Sequence, residues 1–496
     1  MTNPFRLAYT IRVLTFTQHV APFVEIMLNS DTIAAIATPP GEGGIAIVRV
    51  SGPGALPVAA AVFCAGRGGD PCGFVGYSVH YGRFLDARTG DTVDDGLLTV
   101  FRAPHSYTGE DGAELSCHGG KATAGRVLGA VLHAGARLAE PGEFTQRAFL
   151  NGRVDLAQAE AVADLIRAQT ETSQRMARRQ LDGALSGVVR KLREELIGIL
   201  AAIEVTIDFS DEVGELNYTQ LLARIRVVRG GIEGLLTTAD RGRILREGLR
   251  VALVGRPNVG KSSLFNTLLR MERAIVTAMP GTTRDRLEET ANIEGVPLIL
   301  IDLAGLRETS DIVEREGVER ARAALRECDL ALFVLDAGAG VTEADRAAAS
   351  SIAALPAGRA LTVLNKCDTV SDAALEAVSA EARTLAPAAD IAAVSALTGA
   401  GIPDLERHML RLALGDDAGA GLAAESAIVS SLRHRQALEA ALGSIREAEQ
   451  TAEQALPGDF VAIDARGALD ALGLVTGETV TDDIVHRIFR DFCVGK

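Results

Sequence analysis

One stretch, Gly255-Arg256-Pro257-Asn258-Val259-Gly260-Lys261-Ser262, constrains this chain more than any other. It fits the pattern G-x-x-x-x-G-K-S/T, and its flanks suit that pattern. Residues 249–254 are an apolar run that reads as a buried strand, and residues 263–269 read as the first turns of a helix. Glycines at both ends let the backbone curl so that its N–H groups face phosphate oxygens, and the helix N-terminus adds positive dipole. Lys261 supplies a point charge for the β- and γ-phosphates, and the Ser262 hydroxyl a ligand for Mg²⁺. A glycine-rich strand-to-helix turn without a ligand fits the same pattern, so the remaining motifs decide.

Three of them follow in order. Asp302-Leu303-Ala304-Gly305 closes the apolar run 298–301, which puts Asp302 at a strand end within reach of the Mg²⁺ shell and the Gly305 N–H near a γ-phosphate. Asn365-Lys366-Cys367-Asp368 follows the run 360–364. A carboxylate at Asp368 accepts paired hydrogen bonds from N1–H and the 2-amino group of guanine; adenine lacks that pair, and a site left unpaired discriminates strongly. Ser395-Ala396-Leu397, after 391–394, offers backbone N–H to the guanine oxygen. Four ordered motifs, each at a strand end, specify a GTP-binding α/β domain.

The hydrolytic residues are less ordinary. Leu306 follows Gly305, where Ras-like proteins place the glutamine that orients water, and leucine cannot do that. Glu308 is the nearest polar candidate, with a surface carboxylate as the alternative reading. Gly281-Thr282-Thr283-Arg284-Asp285 reads as a first switch with a threonine hydroxyl for Mg²⁺, and the Asn258 side-chain carbonyl is placed to help hold a monovalent cation.

At 496 residues the chain has room for about three domains. A hydrophobic content of 47% supports sizeable cores, and a net charge of −15 argues against a broad basic face for nucleic acid. Six cysteines without a C-x-x-C pair suggest neither a disulfide framework nor a zinc site and fit a reducing cytoplasm. No apolar run approaches the ~18 residues of a membrane span. Residues 1–30 lack the pattern of a secretory signal and read as a poorly structured extension.

Residues 31–150 read as an α+β domain: strands at 33–37, 44–50, 79–85 and 96–101, and a helix at 120–136. Arg49 and Glu114 are polar residues embedded in apolar runs, which suits either a ligand site or an internal ion pair. Cys117-His118 as a nucleophile pair is disfavoured, because adjacent residues rarely converge. From Asp155 the spacing is helical: Leu156, Ala159, Ala163 and Ile166, then Val188, Leu192, Leu196, Ile199 and Ile203, then a stretch from 219 to 243. Helical spacing returns at Leu438, Ala441, Leu442 and Ile445, and at Val485, Ile488, Phe489 and Phe492. The economical reading is one helical domain, 151–247 and 416–496, with a GTPase domain at 248–415 inserted into it; two separate bundles is the alternative.

These motifs resemble the MnmE/TrmE family of tRNA-modification GTPases. So do Asp31-Thr32-Ile33-Ala34-Ala35-Ile36-Ala37-Thr38-Pro39-Pro40-Gly41, Pro141-Gly142-Glu143-Phe144, Arg147-Ala148-Phe149-Leu150-Asn151, Asp155-Leu156-Ala157-Gln158-Ala159-Glu160-Ala161 and the ending Phe492-Cys493-Val494-Gly495-Lys496. The likeness runs from about residue 31 to the last residue. It implies a multidomain α+β and α/β protein: an N-terminal folate-binding and dimerising domain, a helical domain, and an inserted Ras-like P-loop GTPase domain activated by potassium. Carried over by motif position, GTP is bound by Asn258, Val259, Gly260, Lys261, Ser262 and Ser263 of the phosphate loop. The first switch contributes Thr277, Ala278, Met279, Pro280, Gly281, Thr282 and Thr283, and the second Asp302, Leu303, Ala304 and Gly305. The base is held by Asn365, Lys366, Cys367 and Asp368 with Ser395, Ala396 and Leu397. Magnesium falls on Ser262 and Thr283, potassium on Asn258, Thr277, Met279 and Thr282, and the catalytic role on Glu308. A 5,10-methylene- or 5-formyl-tetrahydrofolate falls on Arg49, Glu114, Arg153 and Lys496.

Arg153 stands where the family often has lysine, and Leu303 replaces a usual threonine. Residues 1–30 have no counterpart. Folate carries a glutamate tail that suits Arg49 with Arg153 or Lys496, and a pterin that suits Glu114. Lys496 is expected to extend beyond an amphipathic helix whose last apolar position is Phe492, with Cys493 as a packing residue. The resemblance further implies a cytoplasmic homodimer. It would work with an FAD-containing MnmG-like protein, in a heterotetramer or larger complex, on C5 of the tRNA wobble uridine. A ribosome-assembly GTPase switch is the competing expectation; such proteins usually carry a second GTPase domain or an RNA-binding module, and the sequence shows neither.

Overall fold

The computed structural model describes every residue except 1–30, 272–287, 303–324, 354, 357, 388, 416–426, 491 and 496. The expected extension, the first-switch residues Thr277 to Thr283, the second-switch residues Leu303 to Glu308 and Lys496 therefore lie outside the described residues. The chain groups into two compact units, Met1–Val154 with Thr481–Lys496, and Asp155–Val480. Among the described residues no helix is long and apolar enough to cross a membrane.

The first unit is built on a seven-stranded sheet of β1 (Ile33–Ile36), β2 (Gly43–Ser51), β3 (Phe63–Ala65), β4 (Ser78–Leu85), β5 (Thr92–Phe101), β6 (Gly112–Gly119) and β7 (Arg137–Leu138), in the order β3-β4-β5-β6-β2-β1-β7. Alternation along the strands sends Val48, Val50, Leu98, Val100, Ala113 and Leu115 into a core that also holds Leu56 and Ala59 of helix Ala55–Val62 and Val127 and Val131 of helix Lys121–His133. The intervening residues, Arg49 and Glu114 among them, therefore point to the other face. β3, β6, β7 and helix Ala55–Val62 were not foreseen: residues 113–118 of β6 were read only as an apolar run holding Glu114, and a strand of two or three residues carries too little periodicity to be read.

Beside this core lies a buried charged cluster. Arg147, 2% exposed, reaches Asp31 Oδ1 at 2.7 Å, Glu143 Oε1 at 2.9 Å and Glu110 Oε1 at 3.2 Å. Arg137 joins through Glu143 at 2.7 Å. Burial alone would raise the Glu143 carboxyl, yet the hydrogen bonds from Arg137, the Glu140 N–H and Arg147 hold it below its ordinary value. Helix Asp482–Arg490 belongs to this unit: Phe489 meets Phe149, and a Cβ on Gly142 would lie 2.5 Å from the Phe489 carbonyl oxygen. The helix ends at Arg490, so Phe492 is buried in the turn after it, not on the helix as expected.

In the second unit, helices Ala184–Asp208, Tyr218–Leu236, Leu432–Glu453 and Gly458–Thr476 share one apolar core, including Leu192, Leu196, Ile199, Ile225, Leu438, Ile445, Val461 and Leu472. The helix expected across 219–243 is broken. Thr237 and Thr238 turn their hydroxyls onto the Gly234 and Leu235 carbonyls, each at 2.7 Å, and a separate helix Ala239–Glu247 follows. Asp155 starts helix Leu156–Arg167 with a capping box to Gln158.

Between Glu247 and Gly415 the chain forms a second sheet of β8 (Leu249–Val254), β9 (Glu288–Ile293), β10 (Val296–Asp302), β11 (Leu330–Asp336), β12 (Ala360–Asn365) and β13 (Asp390–Ala393), ordered β13-β12-β11-β8-β10-β9. All pairs are parallel except β9 with β10. The near-continuous apolar runs of β8, β11 and β12 are what strands covered on both faces require. Order along the sheet reverses across β8, so the crevice opens at the carboxyl ends of β8 and its neighbours.

Candidate functional site

The phosphate loop leaves β8 at Gly255 and enters helix Lys261–Met271. Both loop glycines are required by their surroundings. A Cβ on Gly255 (φ +153°) would lie 2.4 Å from the Val334 carbonyl oxygen, and one on Gly260 (φ +95°) 2.2 Å from Asn365 Nδ2. Asn258, also left-handed at φ +66°, is exposed, as are Ser262 and Ser263, whereas Val259 is buried. The Lys261 ammonium donates to the carbonyls of Gly255 at 3.0 Å and Arg256 at 2.9 Å, so the loop curls around the position of its charge.

The base-recognition segment is locked to that loop. Asn365 donates to the Val259 carbonyl at 2.8 Å and accepts from the Ala396 N–H at 3.0 Å, which ties β12, the loop and the Ser395–Leu397 turn into one body. Lys366 sits at φ +65° and donates to the Asn258 carbonyl at 3.1 Å and to Asp336 Oδ2 at 2.6 Å. Burial would raise the Asp336 carboxyl, but the Lys366 ammonium and the Gly338 N–H hold it below its ordinary value. The Cys367 N–H bonds the Val394 carbonyl at 3.1 Å, and Asp368 stands exposed beyond it. Leu397 is 88% exposed at the rim. Parallel register sets Asp302 opposite Leu253, which puts the end of β10 alongside the start of the loop.

Sequence reasoning missed three residues here. Asp336 ends the apolar run of β11 opposite Asn365. Asp345, fully buried, accepts from Arg256 Nε at 3.2 Å. Thr267 donates to the Ala396 carbonyl at 2.8 Å. Only Asp336 carried a signal, a carboxylate closing a buried strand at the same level as a recognised motif.

In the first unit the structure brings Arg49 and Glu114 together. They oppose each other across β2 and β6, and Arg49 Nε and Nη2 both lie 2.9 Å from Glu114 Oε1. Of the two readings left open, the ion pair is present, and it lines a small cleft with Ser106, Tyr107, Thr108 and Phe144. The Arg49 guanidinium lies 5.5 Å from the Tyr107 ring centroid and 5.7 Å from that of Phe144. Its Nη1 donates to the Gly495 carbonyl at 3.2 Å, which draws the end of the chain to the cleft. Gly495 (φ +93°) admits no side chain there, since a Cβ would lie 2.5 Å from the Ile36 carbonyl oxygen. Exposed Arg153 does not line the cleft, but its stem would meet a Cβ on Gly109 at 3.3 Å, next to Thr108. Cys493 is exposed, contrary to the expectation of a packing role, and holds Gly142 N through its carbonyl at 3.3 Å. Cys117 and His118 point to opposite faces of β6: burial pushes the Cys117 thiol up, while His118 pairs with Asp94 at 2.9 Å.

A parallel sheet whose strand ends bring together a glycine-bounded phosphate loop, Asn365 and an exposed Asp368 defines a P-loop GTPase domain, here carried within a helical bundle. Comparison with known proteins gives the particular family. The family model described as GTP-binding protein TrmE N-terminus matches residues 32–153, and that described as MnmE helical domain matches residues 156–493. The tRNA modification GTPase MnmE of Carboxydothermus hydrogenoformans is 45% identical over 95% of this chain and 100% of its own length. Those of Moorella thermoacetica and Enterococcus faecalis are each 46% identical, over 94% and 95% of this chain and 99% of their own lengths. A solved structure of Era with MgGDPNP and nucleotides 1506–1542 of 16S ribosomal RNA is 30% identical over 33% of this chain and 56% of that one, at a TM-score of 0.28. This chain belongs to the MnmE family of tRNA modification GTPases, and it is a GTP hydrolase.

Proposed function

We propose that the chain is a potassium-activated GTPase that works with a flavoprotein partner to install a carboxymethylaminomethyl or aminomethyl group at C5 of the tRNA wobble uridine. The reading is supported above all by the Arg49–Glu114 pair beneath two aromatic rings in a chain that also carries the GTP site. The cleft is lined by aromatic and apolar side chains around one charged pair, the lining that a flat heteroaromatic ring such as a pterin takes. Glu114 accepts from paired donors of such a ring, Tyr107 and Phe144 shield it from water, and Arg49 holds the Glu114 carboxylate in place. Arg153 and Lys496 are proposed for the glutamate tail. When bound, tetrahydrofolate supplies the one-carbon unit.

At the GTPase site Asp368 reads guanine, Lys261 and the loop N–H groups hold phosphates, and the exposed Ser262 hydroxyl at the helix start fits a magnesium ligand with Thr283. The exposed Asn258 side chain fits a potassium ligand, with Thr277, Met279 and Thr282 completing the proposed set. Glu308 is proposed to orient the attacking water. A homodimer in the cytoplasm, joined by an FAD-containing MnmG-like protein and tRNA, is the proposed assembly.

Deleting Gly495-Lys496 tests the folate half. The deletion removes the carbonyl that Arg49 holds together with the proposed tail ligand, so calorimetry with 5-formyl-tetrahydrofolate should show binding weakened by about tenfold or more. GTP hydrolysis should survive. Equal affinities for full and truncated chains would remove the tail from the folate site.

A further inference from the structure

We propose that Asp345 and Asp336 are positioning residues for the phosphate loop, holding it at its two flanks through Arg256 and Lys366. The proposal rests on the GTP site alone; no part of it depends on folate or potassium.

On the first flank, Arg256 Nε donates to Asp345 Oδ2 at 3.2 Å. The same oxygen accepts from Thr342 N at 3.0 Å and Thr342 Oγ1 at 2.6 Å, closing the capping box of helix Glu343–Ile352. Asp345 is 0% exposed, and its other oxygen has no partner among the described residues. A half-satisfied buried carboxylate is an expensive way to cap a helix, because a neutral glutamine closes the same box. What the charge adds is its hold on Arg256. That arginine is the second residue of the loop, and its carbonyl is one of the two that receive the Lys261 ammonium.

On the second flank, Lys366 joins Asp336 Oδ2 to the Asn258 carbonyl. Asp336 is itself fixed by the Gly338 N–H at 3.0 Å on its Oδ1. Only Pro257 separates Arg256 from Asn258. Asp336 ends β11 and Asp345 lies in the first turn of the helix that follows it, so one stretch of chain, 336–345, grips the loop on either side of its proline. Each acid acts on the loop through a basic side chain. Their work is to turn loop carbonyls outward at Asn258 and fix the backbone at Arg256, which leaves the N–H groups facing inward for phosphate. Asp345 matters more, since the Lys366 side chain is 40% exposed and that of Arg256 20%, and screening weakens the more exposed pair.

Titration of the full chain with N-methylanthraniloyl-GDP in Mg²⁺ buffer, alongside thermal melting, tests this. Asp345→Asn should weaken binding by about tenfold, equivalent to ~1.4 kcal/mol. Asp336→Asn should weaken it by roughly threefold. In hydrolysis assays Asp345→Asn should raise KM while kcat stays within about twofold, the pattern of lost ground-state binding. Arg256→Gln should reproduce the Asp345→Asn loss, and the double variant should be no weaker than the worse single one. Ala349→Gly, one turn further along the same helix and without a hydrogen bond to Arg256 or Lys366, should lower Tm without moving the Kd. A Tm loss in Asp345→Asn with unchanged Kd would reduce Asp345 to a helix cap and overturn the proposal. Should the buried variant fail to fold, Arg256→Gln decides alone: an unchanged Kd contradicts the clamp.

Discussion

Asp368→Asn is expected to lower GTP affinity on the order of 10³-fold while improving the binding of xanthosine triphosphate, because a site built around a pair of hydrogen bonds rejects a base that cannot complete them. As the proposed reader of guanine the carboxylate would accept twice from the base; the amide presents a donor where guanine presents hydrogens and xanthine presents oxygen. The effect should be confined to the base. Asn365 fixes the segment through Val259 and Ala396, and the Cys367 N–H through Val394, so the substitution changes an exposed side chain and leaves its backbone in place. Competition binding with both nucleotides reads the result directly. An unchanged preference for GTP would remove Asp368 from the base pocket.

Glu308→Ala is expected to lower turnover by roughly 10²-fold or more with nucleotide affinity nearly intact, the range for residues that orient water or transfer its proton. Glu308 lies outside the described residues, so its role is inferred from its place after Gly305 and Leu306 and from the family it shares. Single-turnover hydrolysis beside nucleotide titration separates the two quantities. The same assay in potassium and sodium salts tests the proposed cation. The cation proposed at Asn258 would take the place of an arginine finger worth about 10³–10⁵ in other GTPases, so equal rates in both salts would count against it.

Legibility in the sequence followed the physics of each feature. The nucleotide site was readable because each of its motifs closes an apolar run, and strand ends converge in a parallel sheet. Arg49 and Glu114 were readable as polar interruptions of apolar strands, but whether they meet depends on the register of β2 with β6, which no local pattern fixes. Asp345 was invisible for the opposite reason. Its spacing to Thr342 is that of any capping box, and only the fold brings Arg256 to it across 89 residues of chain. The Arg147 cluster likewise draws on Asp31, Glu110 and Glu143, three acids that are individually ordinary. The break at Thr237-Thr238 escaped notice because the apolar spacing runs through it while the hydroxyls cap the carbonyls behind them.

We propose that GTP hydrolysis by this chain serves chemistry on tRNA. Mass spectrometry of wobble uridines in tRNA from a strain lacking the chain measures it most directly. The C5 aminomethyl-type substituents should be lost, and restored by the intact chain but not by Glu308→Ala or by the chain lacking Gly495-Lys496. Wobble uridines with undiminished C5 substituents in the deleted strain would contradict it.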